Sequence, residues 1–359
     1  MIVVRAPFRL PLGGGGTDLP SYYNKYEGFL ITAAINKYMF VNINEPAIVN
    51  KIKISYSKVE IIELDQINEL KHEIVRESLN YLKIKRPLEI SSMADVSAGT
   101  GMGSSSSYTV ALLQGINTML RRRISIKDLA EEACKVEIDL IHKPIGKQDQ
   151  YAAAFGGIIQ LDIDRSGSVN VTPLNLDHEI ICELENRLMM FYTKIERDAN
   201  EILGEQSRKI MTDSGNGRIH GAETKECAIL EEMPNTVKQM EKNNAVEAMH
   251  CIKEIGYKVK CALINGDIYE FGKLLNEHWS IKKSISDKMS KSQIDNWYDL
   301  AMKNGAIGGK VMGAGGGGFM LFCVDNGQRK HLRKTLENAG LKYMDFKFDW
   351  EGVKTLVDF

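Results

Sequence analysis

The segment Gly99-Thr100-Gly101-Met102-Gly103 runs directly into Ser104-Ser105-Ser106-Ser107 and an apolar stretch. Glycine admits positive φ and lets backbone approach a ligand closely. A helix opening at the serines turns unpaired N–H groups and the positive end of its dipole toward the loop. That geometry binds anions, phosphates above all. No Lys follows the last glycine, so this is not a Walker A loop, and it is not a dinucleotide fingerprint either. The plain alternative is a flexible loop with a serine N-cap.

Four further segments carry chemistry-bearing residues. Arg9 precedes Gly13-Gly14-Gly15-Gly16-Thr17-Asp18, where consecutive glycines after a strand suggest backbone packed against a ligand. There Thr17 and Asp18 suit sugar hydroxyls, Arg9 suits a negative charge, and the alternative is a surface turn with Asp18 capping the next helix. In Lys143-Pro144-Ile145-Gly146-Lys147-Gln148-Asp149-Gln150-Tyr151, Asp149 falls in a first helical turn, where a carboxylate stabilises the helix end or orients and deprotonates a substrate hydroxyl. With Lys147 or Arg9 beside it, Asp149 would be an orienting group rather than a strong base. Glu137 lies beside the buried stripe of its helix, a costly place for a carboxylate unless a cation balances it. Mg²⁺, held by one carboxylate and substrate phosphates, would do so; pairing with Lys143 is the alternative. Lys310–Phe319 has five glycines in the six positions from Gly313 to Gly318, more than a β-turn requires.

These segments need elements to hold them. Ile2–Ala6 reads as a strand, Phe29–Ile35 and Lys37–Asn44 as two strands joined by a turn at Asn36, and Lys51–Ser55 and Val59–Glu63 as a further pair. Ile67–Leu82, Ser104–Leu120, Ile124–Ile141 (N-capped by Ser125) and Gly146–Phe155 read as helices. Strands are expected at Leu88–Met93, Ile158–Ile163, Val169–Val171, Ile180–Leu184 and Leu188–Tyr192. Asp198–Asn304 reads as mostly helical, broken at Asp213–Gly217 and near Gly266. Ala306–Met312 and Phe319–Val324 then read as strands, Gln328–Ala339 as a helix, and short strands end the chain. The plan is α+β, not βαβ alternation, with a boundary near Leu184–Arg187.

The chain has 359 residues, 43% hydrophobic and 26% charged, ample for two domains. Its 46 basic and 47 acidic residues give net −1, which argues against disorder and against a general nucleic-acid binder. Phe29–Ile35, the most apolar stretch, is too short to span a bilayer. The six cysteines show no CxxC, and no signal peptide is visible, so reduced thiols and a cytoplasmic protein are expected. The seven histidines form no zinc motif.

Together these segments resemble the GHMP small-molecule kinases, the superfamily of galactokinase, homoserine kinase and mevalonate kinase. Gly101-Met102-Gly103-Ser104-Ser105 looks like the family's phosphate loop, Lys310–Phe319 like its C-terminal glycine motif and Arg9–Asp18 like its N-terminal sugar motif. The order along the chain agrees, and essentially the whole chain is covered. Gly14–Tyr23, Gly103–Ser107 and Gly146–Tyr151 are more similar to the heptose 7-phosphate kinases within it, with L-fucose kinase domains as nearest competitors.

The resemblance implies an S5-like N-terminal ATP-binding domain, 1–185, and a ferredoxin-like α+β C-terminal domain, 186–359. It implies ATP bound by Gly99, Gly101, Gly103, Ser104, Ser105 and Ser106, and Mg²⁺ held by Ser105 and Glu137. Asp149 becomes the catalytic carboxylate with Arg9 assisting, and Gly15, Gly16, Thr17, Asp18, Gly315 and Gly316 the substrate-binding residues. Galactokinases carry Glu-His where this chain has Gly15-Gly16. Losing that acidic group favours an anionic, longer sugar. The expected activity is transfer of phosphate from ATP to O1 of D-glycero-D-manno-heptose 7-phosphate. A neutral-sugar kinase and a sensor on the same scaffold are the rivals. Arg5, Lys37, Lys143 and Lys147 are candidates for the sugar phosphate.

Overall fold

The computed structural model describes residues 1–195, 199–213, 245–285 and 292–359. In chain order its elements begin with β1 (Ile2–Gly13), α1 (Pro20–Tyr26), β2 (Gly28–Asn44), β3 (Lys51–Ser55), β4 (Val59–Glu63), α2 (Glu73–Tyr81), β5 (Leu88–Ala94), α3 (Ser104–Met119), α4 (Ile126–Cys134) and α5 (Gln148–Phe155). There follow β6 (Ile158–Ile163), β7 (Val169–Pro173), α6 (His178–Arg187), β8 (Leu188–Tyr192), α7 (Ala199–Asp213), α8 (Ala245–Ile264), α9 (Ile268–Ile285) and α10 (Ser292–Lys303). β9 (Ala306–Val311), β10 (Phe319–Val324), α11 (Arg329–Asn338), β11 (Lys342–Met344) and β12 (Lys354–Asp358) complete the order.

Two compact units emerge, each discontinuous in sequence. The first comprises 1–10, 32–159 and 345–359, the second 11–31 and 160–344. This partition differs from a single cut near Leu184–Arg187.

In the first unit the strand order is β12-β1-β2-β5-β3-β4. β1 and β12 are antiparallel, with Ile2 opposite Asp358. β2 and β5 are antiparallel, whereas β3 runs parallel to β5, and α2 intervenes on the way back from the β3–β4 hairpin. α3 is apolar on nearly all sides and buried accordingly, packing against α2, α4 and α5. Ser125 caps α4 by accepting a hydrogen bond from Asp128 N at 3.1 Å, as its position suggested.

The second unit holds an antiparallel sheet in the order β11-β8-β10-β9. Met189, Phe191, Trp279, Trp297, Phe322 and Leu332 lie in its core. α9 lies directly on β9. A Cβ built on Gly308 of β9 would stand 1.9 Å from the Gly272 carbonyl oxygen of α9. Only glycine permits that approach.

Several local expectations need correction. Asn36 makes no turn: β2 runs unbroken through it. Its backbone N–H donates to Lys347 O at 2.9 Å and its side chain accepts from Lys347 N at 2.8 Å, so flanking backbone replaces the turn. Ile180–Leu184 is helical, within α6, because its one deeply buried side chain is Leu184 and no second strand face exists to fill. Ile67–Leu82 is a 3-10 turn over Leu64–Glu69 followed by α2, with Leu70 outside both. Ile124–Ile141 is α4 followed by a π-helical turn over Lys135–Leu140. The break near Gly266 is present between α8 and α9; the other, Asp213–Gly217, lies outside the described residues beyond Asp213. Cys134, Cys182, Cys251 and Cys323 are free thiols as expected, while Cys261 is disulfide-bonded. No helix among the described residues is long and apolar enough to cross a membrane.

Gly308→Ala is expected to lower the unfolding free energy by about 2 kcal/mol or more, since the methyl group meets backbone that cannot rotate away. Urea denaturation of the variant beside wild type measures it.

Candidate active site

β1 carries Arg9 into the first unit's interior, where the residue is 5% exposed. Its guanidinium forks onto Asp149, with Nε 2.6 Å from Oδ1 and Nη2 2.9 Å from Oδ2. The remaining Nη1 donates to Gly101 O at 2.6 Å, and the Arg9 backbone N–H reaches Met102 O at 3.3 Å. One side chain thus ties the strand, the glycine loop and the first turn of α5. Such bidentate, charge-assisted contacts are among the stronger polar interactions.

The loop itself is built by left-handed backbone. Gly103 is the N-cap residue of α3 with φ 80°, and a Cβ there would stand 3.0 Å from Asp149 Oδ2. Glycine at 103 therefore permits both the turn and the close approach of the carboxylate. Gly99 and Gly101 share the left-handed conformation. Thr100 Oγ1 donates to Ser97 O at 2.9 Å, and Ser107 Oγ donates to Pro7 O at 2.8 Å, which fastens α3 to β1. Ser104 and Ser106 are buried, while Ser105 is half-buried. α3 has no side-chain N-cap, so the serine-cap alternative does not describe it.

Glu137 is fully buried on the π-helical turn. It does not reach solvent. Ser105 Oγ donates to its Oε1, Lys143 Nζ lies 3.0 Å from the same oxygen, and Gln150 Nε2 donates to Oε2 at 2.9 Å. Lys143 Nζ is also 2.5 Å from Ser105 Oγ. A hydroxyl and a carboxylate oxygen thus meet one cation. This donor set fits Mg²⁺, which uses one or two protein oxygens and takes the rest from phosphate and water. Among the described residues no group of three or more His, Cys, Asp or Glu forms a self-sufficient metal cage.

The Glu137–Lys143 pair is the alternative that the sequence offers, whereas Gln150 is a partner it does not single out. The signal for Gln150 is its place beside Asp149. Lys147 pairs with Glu131 at 3.0 Å, and Glu131 also accepts from the Tyr151 hydroxyl. Burial, and then that hydrogen bond, raise the Tyr151 pKa. Arg5 is engaged by Glu351 and lies 4.4 Å above the Tyr38 ring. Lys37 touches its neighbour's carbonyl, Asn36 O, at 3.4 Å. Of the four basic candidates for a sugar phosphate, then, Arg5, Lys143 and Lys147 are each in an ion pair.

The second unit holds the other two glycine segments. Thr17 is fully buried, and its hydroxyl lies 2.8 Å from both Gly14 O and Phe29 O while accepting from Phe29 N at 3.1 Å. It braces the loop. Asp18 Oδ1 accepts from Gly16 N at 2.9 Å and does not cap α1, whose N-cap residue is Leu19. Gly15 and Gly16 belong to the same turn. Gly315 and Gly316 are buried in the β9–β10 connection, where Lys282 Nζ donates to Gly313 O at 2.7 Å.

Comparison with known proteins agrees with this geometry. The model of the GHMP kinase N-terminal domain matches residues 69–157 and that of the GHMP kinase C-terminal domain residues 260–340. A D-glycero-alpha-D-manno-heptose 7-phosphate kinase of Campylobacter jejuni is 31% identical, over 99% of this chain and 98% of its own. A galactokinase of Pyrococcus furiosus is 26% identical over 98% of this chain and 95% of its own. The crystal structure of a D-glycero-D-manno-heptose 1-phosphate kinase from Bacteriodes thetaiotaomicron superposes with a TM-score of 0.74 at 25% identity, covering 100% of both chains. The chain belongs to the GHMP kinase family. It has that family's two-domain, mixed helix-and-sheet fold and is a phosphotransferase with an alcohol group as acceptor, a sugar kinase.

Arg9→Lys keeps the charge but cannot fork onto Asp149 and reach Gly101 together. Losing a charged hydrogen bond costs about 1.5–3 kcal/mol. Amide exchange at Gly101–Gly103 is therefore expected to quicken by about tenfold or more, which hydrogen–deuterium exchange would read; unchanged protection would deny Arg9 its hold on the loop.

Proposed function

We propose that this kinase transfers phosphate from ATP to O1 of D-glycero-D-manno-heptose 7-phosphate, giving the 1,7-bisphosphate. The observation that carries the catalytic reading is the Arg9–Asp149 fork at the mouth of the Gly99–Ser106 loop. The substrate rests on the 31% identical heptose 7-phosphate kinase, together with Gly15-Gly16 where galactokinases carry Glu-His.

In this reading Gly99, Gly101, Gly103, Ser104, Ser105 and Ser106 cradle the ATP phosphates with backbone N–H groups and the α3 dipole. Asp149, its carboxylate held in place by Arg9, orients O1 or receives its proton. O1 attacks the γ-phosphorus, the bond from that phosphorus to the β–γ bridging oxygen breaks, and ADP leaves. Ser105 and Glu137 would hold Mg²⁺, which when bound supplies charge neutralisation to the phosphates. We assign sugar binding to Asp18, to the Gly15-Gly16 turn braced by Thr17, and to Gly315 and Gly316. Arg9 contributes by fixing geometry, in keeping with phosphoryl transfer being driven chiefly by positioning and electrostatics.

Along the sequence we assign ATP binding to 1–185 and the C-terminal kinase domain to 186–359; the two matched family models fall one within each. We place this reaction in the cytoplasm, in nucleotide-activated heptose synthesis for a bacterial surface glycan, with ATP and a sugar phosphate as its small-molecule partners.

Asp149→Asn is expected to lower turnover by about 100-fold or more while ATP still binds. Full turnover in that variant would remove the carboxylate from the mechanism. ADP release with D-glycero-D-manno-heptose 7-phosphate, the 1-phosphate, the dephosphorylated heptose, L-fucose and galactose tests the substrate. Preference for the 7-phosphate is expected. Preference for the 1-phosphate would move the acceptor hydroxyl, preference for a neutral sugar would return Gly15-Gly16 to a merely structural turn, and ATP binding without turnover on any of them would favour a sensor.

A further inference from the structure

The geometry points to Lys143 as a positioning residue that occupies the divalent-cation position while nucleotide is absent, so that metal enters together with nucleotide rather than alone. The inference rests on reading Ser105 and Glu137 as the metal ligands.

One ammonium reaches both oxygens that reading assigns to the metal, at 3.0 Å from Glu137 Oε1 and 2.5 Å from Ser105 Oγ. Glu137 Oε2 is taken by Gln150 Nε2 at 2.9 Å, so Oε1 is the oxygen for which ammonium and metal compete. Glu137 is wholly buried, and a buried carboxylate left without a cation costs several kcal/mol. A cation beside Glu137 therefore stabilises the buried site.

The backbone is shaped to deliver this one. The π-helical turn Lys135–Leu140 ends α4's regular course, a placement common at functional sites. His142 then adopts φ 60°, a left-handed conformation that non-glycine residues rarely take. Lys143 N donates to Glu137 O at 2.9 Å, folding the segment back so that the lysine meets the glutamate. A surface ion pair needs none of this.

A free divalent cation taking Ser105 and Glu137 must displace the ammonium with no new anion to receive it. A cation arriving with nucleotide brings phosphate oxygens that accept the displaced ammonium. Lys143 thereby penalises metal alone and not the metal–nucleotide complex.

Mn²⁺ is the probe, titrated into the full chain and read as free ion by electron paramagnetic resonance. Without nucleotide, K143M and K143Q are expected to bind Mn²⁺ about tenfold or more tightly than wild type, on the scale by which neighbouring groups tune metal affinity. K143R should resemble wild type, and adding E137Q to K143Q should abolish the gain. Where removing the lysine weakens the fold, melting gives the second readout: Mn²⁺ alone should raise the Tm of K143Q by several degrees and leave wild type nearly unmoved, because only a binding-competent native state gains from ligand. Equal Mn²⁺ affinity in wild type and K143Q, with E137Q still weakening metal binding in the presence of ATP, would overturn the role of Lys143 and leave the metal site standing. If E137Q left metal binding unaltered even with ATP, the ligand assignment and this inference would fall together.

Discussion

The glycine loop and the carboxylates beside it depend on how charge is kept inside the first unit. Arg9 is buried on β1, and the interior accepts it because Asp149 meets its fork and two loop carbonyls meet the rest of the residue. The same balance fixes the loop's path. Pulling the strand, the loop or α5 away would leave a buried charge unpaired, a far larger cost than any one contact is worth. Glu137 repeats the arrangement on the neighbouring turn, with a lysine, a serine and a glutamine around a carboxylate that water cannot reach. In each cluster a buried charge is met by an opposite charge and by further hydrogen-bonding groups.

Sequence reading reached these residues because charge and glycine are loud signals. Asp149 sat at a predicted helix start, Glu137 on a predicted apolar stripe, and the glycine runs in places no regular element would tolerate. Local propensity was weaker where tertiary contacts decide. Asn36 reads as a turn until Lys347, more than three hundred residues away, supplies the backbone partner that keeps β2 straight. Ile180–Leu184 offers apolar residues suited to strand or helix, and only the single buried position at Leu184 settles the period. The π-helical turn was illegible, since nothing in Lys135–Leu140 departs from ordinary helical composition. Yet that turn sets which way Lys143 points. Thr17 illustrates the converse: its hydroxyl suits a sugar by type, while the fold uses it as a brace.

Whole-length similarity to sugar kinases establishes the reaction class. Substrate choice rests on finer features, and there the relatives differ in where their named substrates already carry phosphate. The ion pairs of Arg5, Lys143 and Lys147 narrow the question, because a cation already committed to a carboxylate must break that contact before it binds a sugar phosphate.

The first unit is assembled from three separated pieces of sequence, and β1 lies in its sheet beside β12. During synthesis the amino-terminal strand emerges with one flank unpaired and stays so until residues 354–358 have left the ribosome. In that interval the Ile2–Arg5 edge of β1 is open to pairing with other chains. Closing it requires a loop of more than three hundred residues, which slows the step relative to folding that depends on local contacts. Elongation rate and chaperone supply should thus govern the yield of active enzyme more strongly than the final stability of the fold would suggest.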